Sequence, residues 1–308
     1  MKCGLCFGKA QVELIQHKIA MCGPCYLKWV PHYTQRTIKN FRMFSHQDPV
    51  LVAVSGGKDS LSLWSILTEL GYQADALYIN LGILENNYSA YSLECAQQLA
   101  STLGRKLHVI DLEKEQGFRI PQMHRKIERN ICSACGVIKR YYMNLTAYQE
   151  GYHCVATGHN LDDESSSLLS NVLSWDVHYL SRQSPVLPEK GQKLVKKVKP
   201  LCYFTEKETA QYAFLKQIEY IGYDCPYVKG STFLYYKDLL NQLEQNSAGS
   251  KRRFYDGFLR VSAGRFEEKM PELQECRHCG MPTPIDVCSF CRITQRAKKI
   301  VREQTPSQ

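Results

Sequence analysis

Residues 50–60 read VLVAVSGGKDS. The opening run is apolar and rich in β-branched side chains, as in a strand buried on both faces, and Gly56-Gly57 stop it. Beyond the glycines, Leu61, Leu63, Trp64 and Leu67 mark one face of a helix that Gly71 closes. Strand, glycine turn and helix in this order make an anion site. Two glycines let the backbone approach a phosphate, the helix start offers free amides and the positive end of its dipole, and Ser55, Lys58 and Ser60 add donors. The GxxxxGK[ST] spacing of a Walker A loop is absent.

Working outward, strands are expected at 76–79, 107–110 and 154–157. Helices are expected at 89–103, 137–149 and 163–173, several ended by glycine (Gly104, Gly151). The cysteines of Cys132-Ser-Ala-Cys135-Gly fall on a connection in this scheme. Segments 194–198 and 201–204 flank Pro200, helices follow at 206–218 and 233–245, and NSAGSKRR (246–253) reads as a linker. The alternation predicts an α/β protein with a Rossmann-like parallel sheet covered on both faces. A second loop, TGHNLDDE (157–164), leaves the carboxyl end of the fourth strand, where such sheets bind ligands, so Gly158 and His159 join the candidate nucleotide contacts. The acidic run there also reads as a helix cap, with Asp163 open to both roles.

The chain has 308 residues and 14 cysteines, and it is 44% hydrophobic and 22% charged. That length allows one large core with small appendages or two medium domains. No segment approaches the ~18 apolar residues of a membrane span, and the start, MKCGLCFGKA, has no apolar export segment, so no membrane partner and a cytoplasmic location are expected. In a reducing compartment CxxC pairs point to metal. Cys3, Cys6, Cys22 and Cys25 form CxxC-x15-CxxC, and Cys276, Cys279, Cys288 and Cys291 form CxxC-x8-CxxC. Both are zinc-ribbon patterns of closed tetrahedral coordination.

Charge divides the same way. The formal net charge is +9; residues 1–50 carry 7 basic against 2 acidic side chains, residues 251–308 carry 12 against 7, and the middle is nearly neutral. Basic, metal-stapled ends suit a polyanion such as nucleic acid, with Lys2, Lys9, Lys18, Lys28, Arg277, Arg292 and Arg296 as candidate contacts. The expected organisation is a zinc ribbon at 1–30, a linker helix at 31–48, a catalytic domain at 49–250, and a zinc ribbon with a basic helix at 251–308. Cys95, Cys154 and Cys202 have no partner at metal spacing and read as small buried apolar residues.

Cys132, Cys135 and the later Cys225 (YDCPYV) make a third group. Three thiolates suit a [4Fe-4S] cluster with one iron left open, a zinc site completed by His, or a dithiol that carries sulfur as persulfide. Spacing alone leaves all three standing.

SGGKDS resembles the PP-loop of the adenine-nucleotide α-hydrolase-like ATP pyrophosphatases, which cleave ATP between the α and β phosphates and adenylate a substrate oxygen. Their members include GMP and NAD synthetases, lysidine synthetase and tRNA thiolases. SGGKDS, CSACGVIKR (132–140), TGHNLDDE, Cys225-Pro and the terminal ECRHCGMPT…CSFC together are similar to the PP-loop tRNA 2-thiouridine synthetases. Within that family the chain most resembles the branch that thiolates 5-methyluridine 54 in the T-loop.

The resemblance implies ATP on Ser55, Gly56, Gly57, Lys58, Asp59 and Ser60, with Mg²⁺ balancing the phosphates. It further implies a [4Fe-4S] cluster on Cys132, Cys135 and Cys225, assisting roles for Lys139 and Asp163, two structural Zn²⁺ ions, and tRNA as substrate. The sulfur donor would be sulfide or a thiocarboxylated ubiquitin-like carrier, and the assembly a homodimer. Wobble uridine 34 is the alternative target. The modest charged fraction and abundance of Cys, Gln and Asn run against the hyperthermophile trend and favour that alternative. A noncatalytic tRNA- or carrier-binding subunit is a further alternative, and lysidine synthesis gives no reason for three central cysteines.

Overall fold

A computed structural model describes residues 1–124, 131–228, 232–262, 265–266 and 272–304. In chain order the elements are β1 (Val12–Leu14), β2 (Ile19–Met21), α1 (Gly23–Asn40), β3 (Val50–Val54), α2 (Lys58–Glu69), β4 (Ala74–Asn80), α3 (Tyr88–Leu103) and β5 (Leu107–Asp111). The short α4 (Leu112–Gln116) and α5 (Ile120–His124) precede α6 (Ile131–Gln149), β6 (Cys154–Thr157), α7 (Leu161–Leu173), α8 (Val177–Leu180), β7 (Val186–Leu187) and β8 (Lys196–Val198). Then come α9 (Glu206–Leu215), α10 (Thr232–Asn246), α11 (Ser250–Ser262), β9 (Gln274–Glu275), β10 (Pro282–Thr283) and α12 (Ser289–Gln304).

The central sheet runs β5-β4-β3-β6-β8-β7, parallel except for β7, which pairs antiparallel along β8. β3 lies inside because its residues serve both faces. Val50, Val52 and Val54 enter the core shared with α1, α2 and α3, while Leu51 enters the core beneath α6 and α12. From β3 the chain builds β4 and β5 on one side, then crosses to β6 on the other. The neighbours β3 and β6 are therefore the topological switch point, where connections diverge and a crevice opens. Their register, Val50↔Cys154 through Ala53↔Thr157, brings SGGKDS and TGHN off the sheet at one level.

Two sequence expectations are corrected. The 132–136 cysteine segment is no connection: α6 begins at Ile131, so Cys132 and Cys135 sit in its first two turns. Buried Ile131, Ala134, Ile138 and Tyr142 continue the helical stripe back through the cysteines, and Gly136 is covered by the Arg140 guanidinium rather than breaking the helix. NSAGSKRR is no linker either. Only a tight turn separates α10 from α11, and Lys251 is buried against Asp162 of α7. Cys95, Cys154 and Cys202 are buried as expected. Among the described residues no helix is long and apolar enough to cross a membrane.

Candidate functional site

At the end of β3 the backbone turns through Gly56 at φ +79°, a left-handed conformation that favours glycine. A Cβ there would stand 2.5 Å from Ser92 atoms of α3. The Ser60 hydroxyl accepts from Ser55 N at 3.1 Å and donates to Gly57 O at 3.1 Å, pinning the loop. No side chain caps α2, whose residue before the first turn is Gly57. Its leading amides are thus left for an anion, as the sequence predicts.

Gly158 follows β6 and packs directly on this loop: a Cβ at Gly158 would lie 2.7 Å from Ser60 N and 2.9 Å from Asp59 C. His159 is exposed, its Nδ1 2.8 Å from the Thr157 hydroxyl. Asn160 caps α7, accepting from Asp163 N at 3.1 Å while the Asp163 carboxylate accepts from Asn160 N at 3.2 Å. The acidic run splits by direction around the helix. Asp162 faces inward, accepting from Glu206 N at 2.8 Å and from Lys251. Glu164 accepts from Lys199 at 2.8 Å and from Tyr255 at 3.0 Å. Asp163 alone of the three turns to the loop, so its capping role and its position beside the site coexist.

Around the loop lies a charge network that the sequence does not reveal. Glu206, opening α9, accepts from Lys58 at 2.7 Å and from Lys237 of α10 at 2.7 Å, and Lys237 also reaches Asp163 at 3.4 Å. Asp59 accepts from Thr209 and, at 3.1 Å, from Lys58. Burial alone would raise the Glu206 carboxyl, yet hydrogen bonds from Lys237 and Lys58 hold it at about 2. Burial pushes Asp59 upward, with Asp163 adding to the effect and Lys58 opposing it. Two lysines are thereby clamped on one carboxylate beside the glycine loop.

The cysteines of α6 stand beside this loop. A small cavity of about 90 Å³ at the carboxyl ends of β3 and β4 is lined by Ser55, Tyr88 and Lys139 among others. Lys139 also faces the thiols. Burial raises Cys135 and Cys225, Lys139 pulls both down, and Cys132 raises both, with Cys225 also raising Cys135. Cys225 rides on a segment tied at both ends of the site: Ile221 N donates to Gly56 O at 2.9 Å, and the Cys132 thiol lies 3.7 Å from Tyr227 O. The three sulfurs are not all within 4.8 Å of one another, in contrast to the terminal sets. Soft thiolates too far apart to share one ion are a donor set suited to a cluster of several irons rather than to a single metal.

The terminal cysteines close tightly. Cys6 and Cys22 sulfurs are 3.6 Å apart, Cys276 and Cys291 3.9 Å, and Cys279 and Cys288 3.7 Å. With metal–sulfur bonds of ~2.3 Å, the edge of a tetrahedron is ~3.8 Å, which these spacings match. Lys2, Lys9, Lys18, Lys28, Arg277, Arg292 and Arg296 are exposed around the two modules.

Residues 31–224 match the family model for a PP-loop domain. The tRNA-5-methyluridine(54) 2-sulfurtransferase of Thermus thermophilus is 47% identical over 304 residues, covering 97% of this chain and 94% of that protein. The enzyme of the same description from Pyrococcus horikoshii is 40% identical over 302 residues, covering 97% and 96%. The chain belongs to the tRNA-5-methyluridine(54) 2-sulfurtransferase family. Among solved structures, the U34-tRNA thiolase NcsA from Methanococcus maripaludis, with its [4Fe-4S] cluster, aligns at TM-score 0.81 and 26% identity over 96% of each chain. This likeness extends through both terminal modules, so the α/β PP-loop fold with cysteine modules at its ends agrees with the sequence reading.

Sequence reasoning missed Glu206, Lys237 and Thr209 in this family member. Glu206 had one available signal, its place at the start of an expected helix. Lys237 had none, since an inward lysine within α10 resembles any other helical lysine until the helix is placed.

Proposed function

We propose that this chain is an ATP-dependent tRNA 2-sulfurtransferase acting on 5-methyluridine 54. What supports the reading is the position of Lys139, which lines the cavity of Ser55 while facing Cys135 and Cys225, so that nucleotide loop and thiols form one site. ATP would lie on Ser55, Gly56, Gly57, Lys58, Asp59 and Ser60, with Gly158 and His159 flanking it. Mg²⁺ would balance the phosphate charge, with Asp59 as a hard carboxylate donor in the loop. The uridine O2 attacks the α-phosphorus and pyrophosphate leaves, drawing Lys58 and Lys237 from Glu206 onto the departing charge. A hydrosulfide then attacks C2, the C2–O bond breaks, and AMP departs, leaving C2=S and a proton for Asp163. Lys139 offsets the negative charge that builds at C2. A [4Fe-4S] cluster on Cys132, Cys135 and Cys225 would supply an open iron position for the sulfide.

The donor would be sulfide or a thiocarboxylated carrier protein, and the working unit a cytoplasmic homodimer. The terminal sets would each hold a structural zinc and order their basic surfaces against tRNA phosphates. Metal analysis of the anaerobically purified chain should give two zincs; Cys288→Ser should lose one of them and make the C-terminal module susceptible to protease. Two zincs retained in that variant would refute the C-terminal assignment.

The activity is tested with cluster-reconstituted protein, ATP, sulfide and a tRNA transcript bearing 5-methyluridine 54. Nucleoside mass spectrometry is expected to detect 2-thio-5-methyluridine with tRNA-dependent pyrophosphate release. A 2-thio wobble uridine in its place would move the target to position 34. Absence of pyrophosphate release with cluster intact would leave only a binding subunit.

A further inference from the structure

Behind the thiols, on another face of α6, lies a cavity of about 800 Å³ between that helix, the 181–197 segment and the C-terminal cysteine module. Arg140, Arg182, Lys190 and Lys197 line it, and among the described residues no carboxylate does. Lys197 donates to Asn144 Oδ1 at 2.7 Å and to Val195 O at 3.2 Å, both neutral acceptors. Four cations facing one cavity repel each other, and Lys197 among them also loses hydration, an arrangement that an anion would relieve. Burial first, then Arg182, Arg140 and Lys190, lower Lys197 to about 8. The cavity is several times the size of a single phosphate and opens to the surface through exposed Arg140 and Arg182.

Tyr179, 56% exposed on the short helix α8 that leads to Arg182, stands beside the cavity. Burial lowers the Arg140 guanidinium and nearby Tyr179 opposes that shift, and Arg182 lies 3.4 Å from His178. Exposed aromatic rings beside clustered cations are the surface that an unpaired stretch of RNA uses, phosphates on the cations and bases on the rings. A helix is only ~10 Å across, so RNA here is one helix width from Cys135.

We propose that this cavity is a phosphodiester subsite holding the substrate RNA backbone next to the target nucleoside, with Tyr179 stacking an unpaired base at its rim. The inference rests on tRNA being the substrate. It is tested by titrating the cluster-reconstituted full chain with tRNA transcript at several salt concentrations. Arg182→Ala and Lys197→Met should each weaken binding by roughly fivefold to tenfold and lower the salt slope by about one, and Tyr179→Ala should weaken it by about tenfold. The KM for tRNA should rise while kcat stays near wild type. Wild-type affinity should also fall as pH passes through about 8, where Lys197 loses its proton, and Lys197→Met should lack that step.

Arg182 is exposed, so its variant remains informative if Lys197→Met folds poorly. Unchanged affinity and salt slope in these variants would overturn the inference while sparing the sulfurtransferase reading. So would normal tRNA binding with a rate loss confined to a carrier-protein thiocarboxylate donor, which would make the cavity a carrier site. Failure of the wild-type chain to bind tRNA would overturn both.

Discussion

Cys225→Ala is expected to reduce thiolation by about 10³-fold or more, at least ~4 kcal/mol of barrier at 1.36 kcal/mol per decade, while tRNA binding persists. The thiol it removes sits on the segment that joins the two halves of the site. Ile221 anchors that segment to Gly56 O of the nucleotide loop, and Tyr223 donates to Asn86 O at 2.7 Å. Neither anchor needs the Cys225 sulfur, so the loop geometry should survive and pyrophosphate release should continue at a rate within a few-fold of wild type. Iron and sulfide content should fall, because two thiolates of one helix hold a cluster poorly without the third. Full thiolation by an anaerobically prepared variant would remove the cluster from the mechanism; intact iron with lost activity would instead give Cys225 a direct sulfur-transfer role.

The nucleotide half of this site was legible in the sequence because its constraints are local. Gly56 is required by its own positive φ, and a strand followed by an uncapped helix is a feature of about twenty consecutive residues. The terminal cysteine sets were legible for the same reason, since each knuckle is a short turn and the paired spacing survives any arrangement of the rest. The choice of Asp163 from the acidic run came from the resemblance alone, and helical geometry agrees with it: 100° per residue sends Asp162 and Glu164 to other sides.

What failed to appear was long-range. Glu206 meets Lys58 across 148 positions of sequence and Lys251 meets Asp162 across 89. No propensity or period encodes such pairs, which exist only because α9, α10 and α11 fold over the carboxyl end of the sheet. The cysteine helix was misread for a different reason. Cys, Ser and Gly have modest to poor helix preference, with Ala134 alone in favour, but Ile131 and Ala134 extend the buried face of α6 and tertiary burial outweighs propensity. Composition misled as well. The low charged fraction argued for the wobble position, yet relatives 40–47% identical over nearly the whole chain carry the position-54 description. Bulk composition reports on growth conditions and surface, whereas target choice resides in a few contacts.

Gly158→Ala tests how the two loops at the switch point depend on each other. Gly158 has no positive φ to explain it; the reason is space. Its added Cβ would meet Ser60 N at 2.7 Å, Ser60 Cα at 2.8 Å and Asp59 C at 2.9 Å, all backbone of the first turn of α2. A flexible side chain could swing aside, but a helical turn moves only as a unit, so the β6–α7 turn and the nucleotide loop must separate. That displaces His159 and Asp163 from the phosphate position together. A shift near 1 Å in a reacting geometry costs about 10²-fold, and ATP-dependent pyrophosphate release should fall by that amount, with an overpacking loss of ~1–3 kcal/mol in stability. Zinc and iron content should stay at wild-type levels, because no cysteine segment touches the new methyl. Gly257→Ala, in open space on α11, is the control and should stabilise the fold slightly by ~0.5–1 kcal/mol. A Gly158→Ala enzyme that releases pyrophosphate at the wild-type rate would mean that the two loops do not act as one phosphate cradle. The contact between them would then serve packing alone.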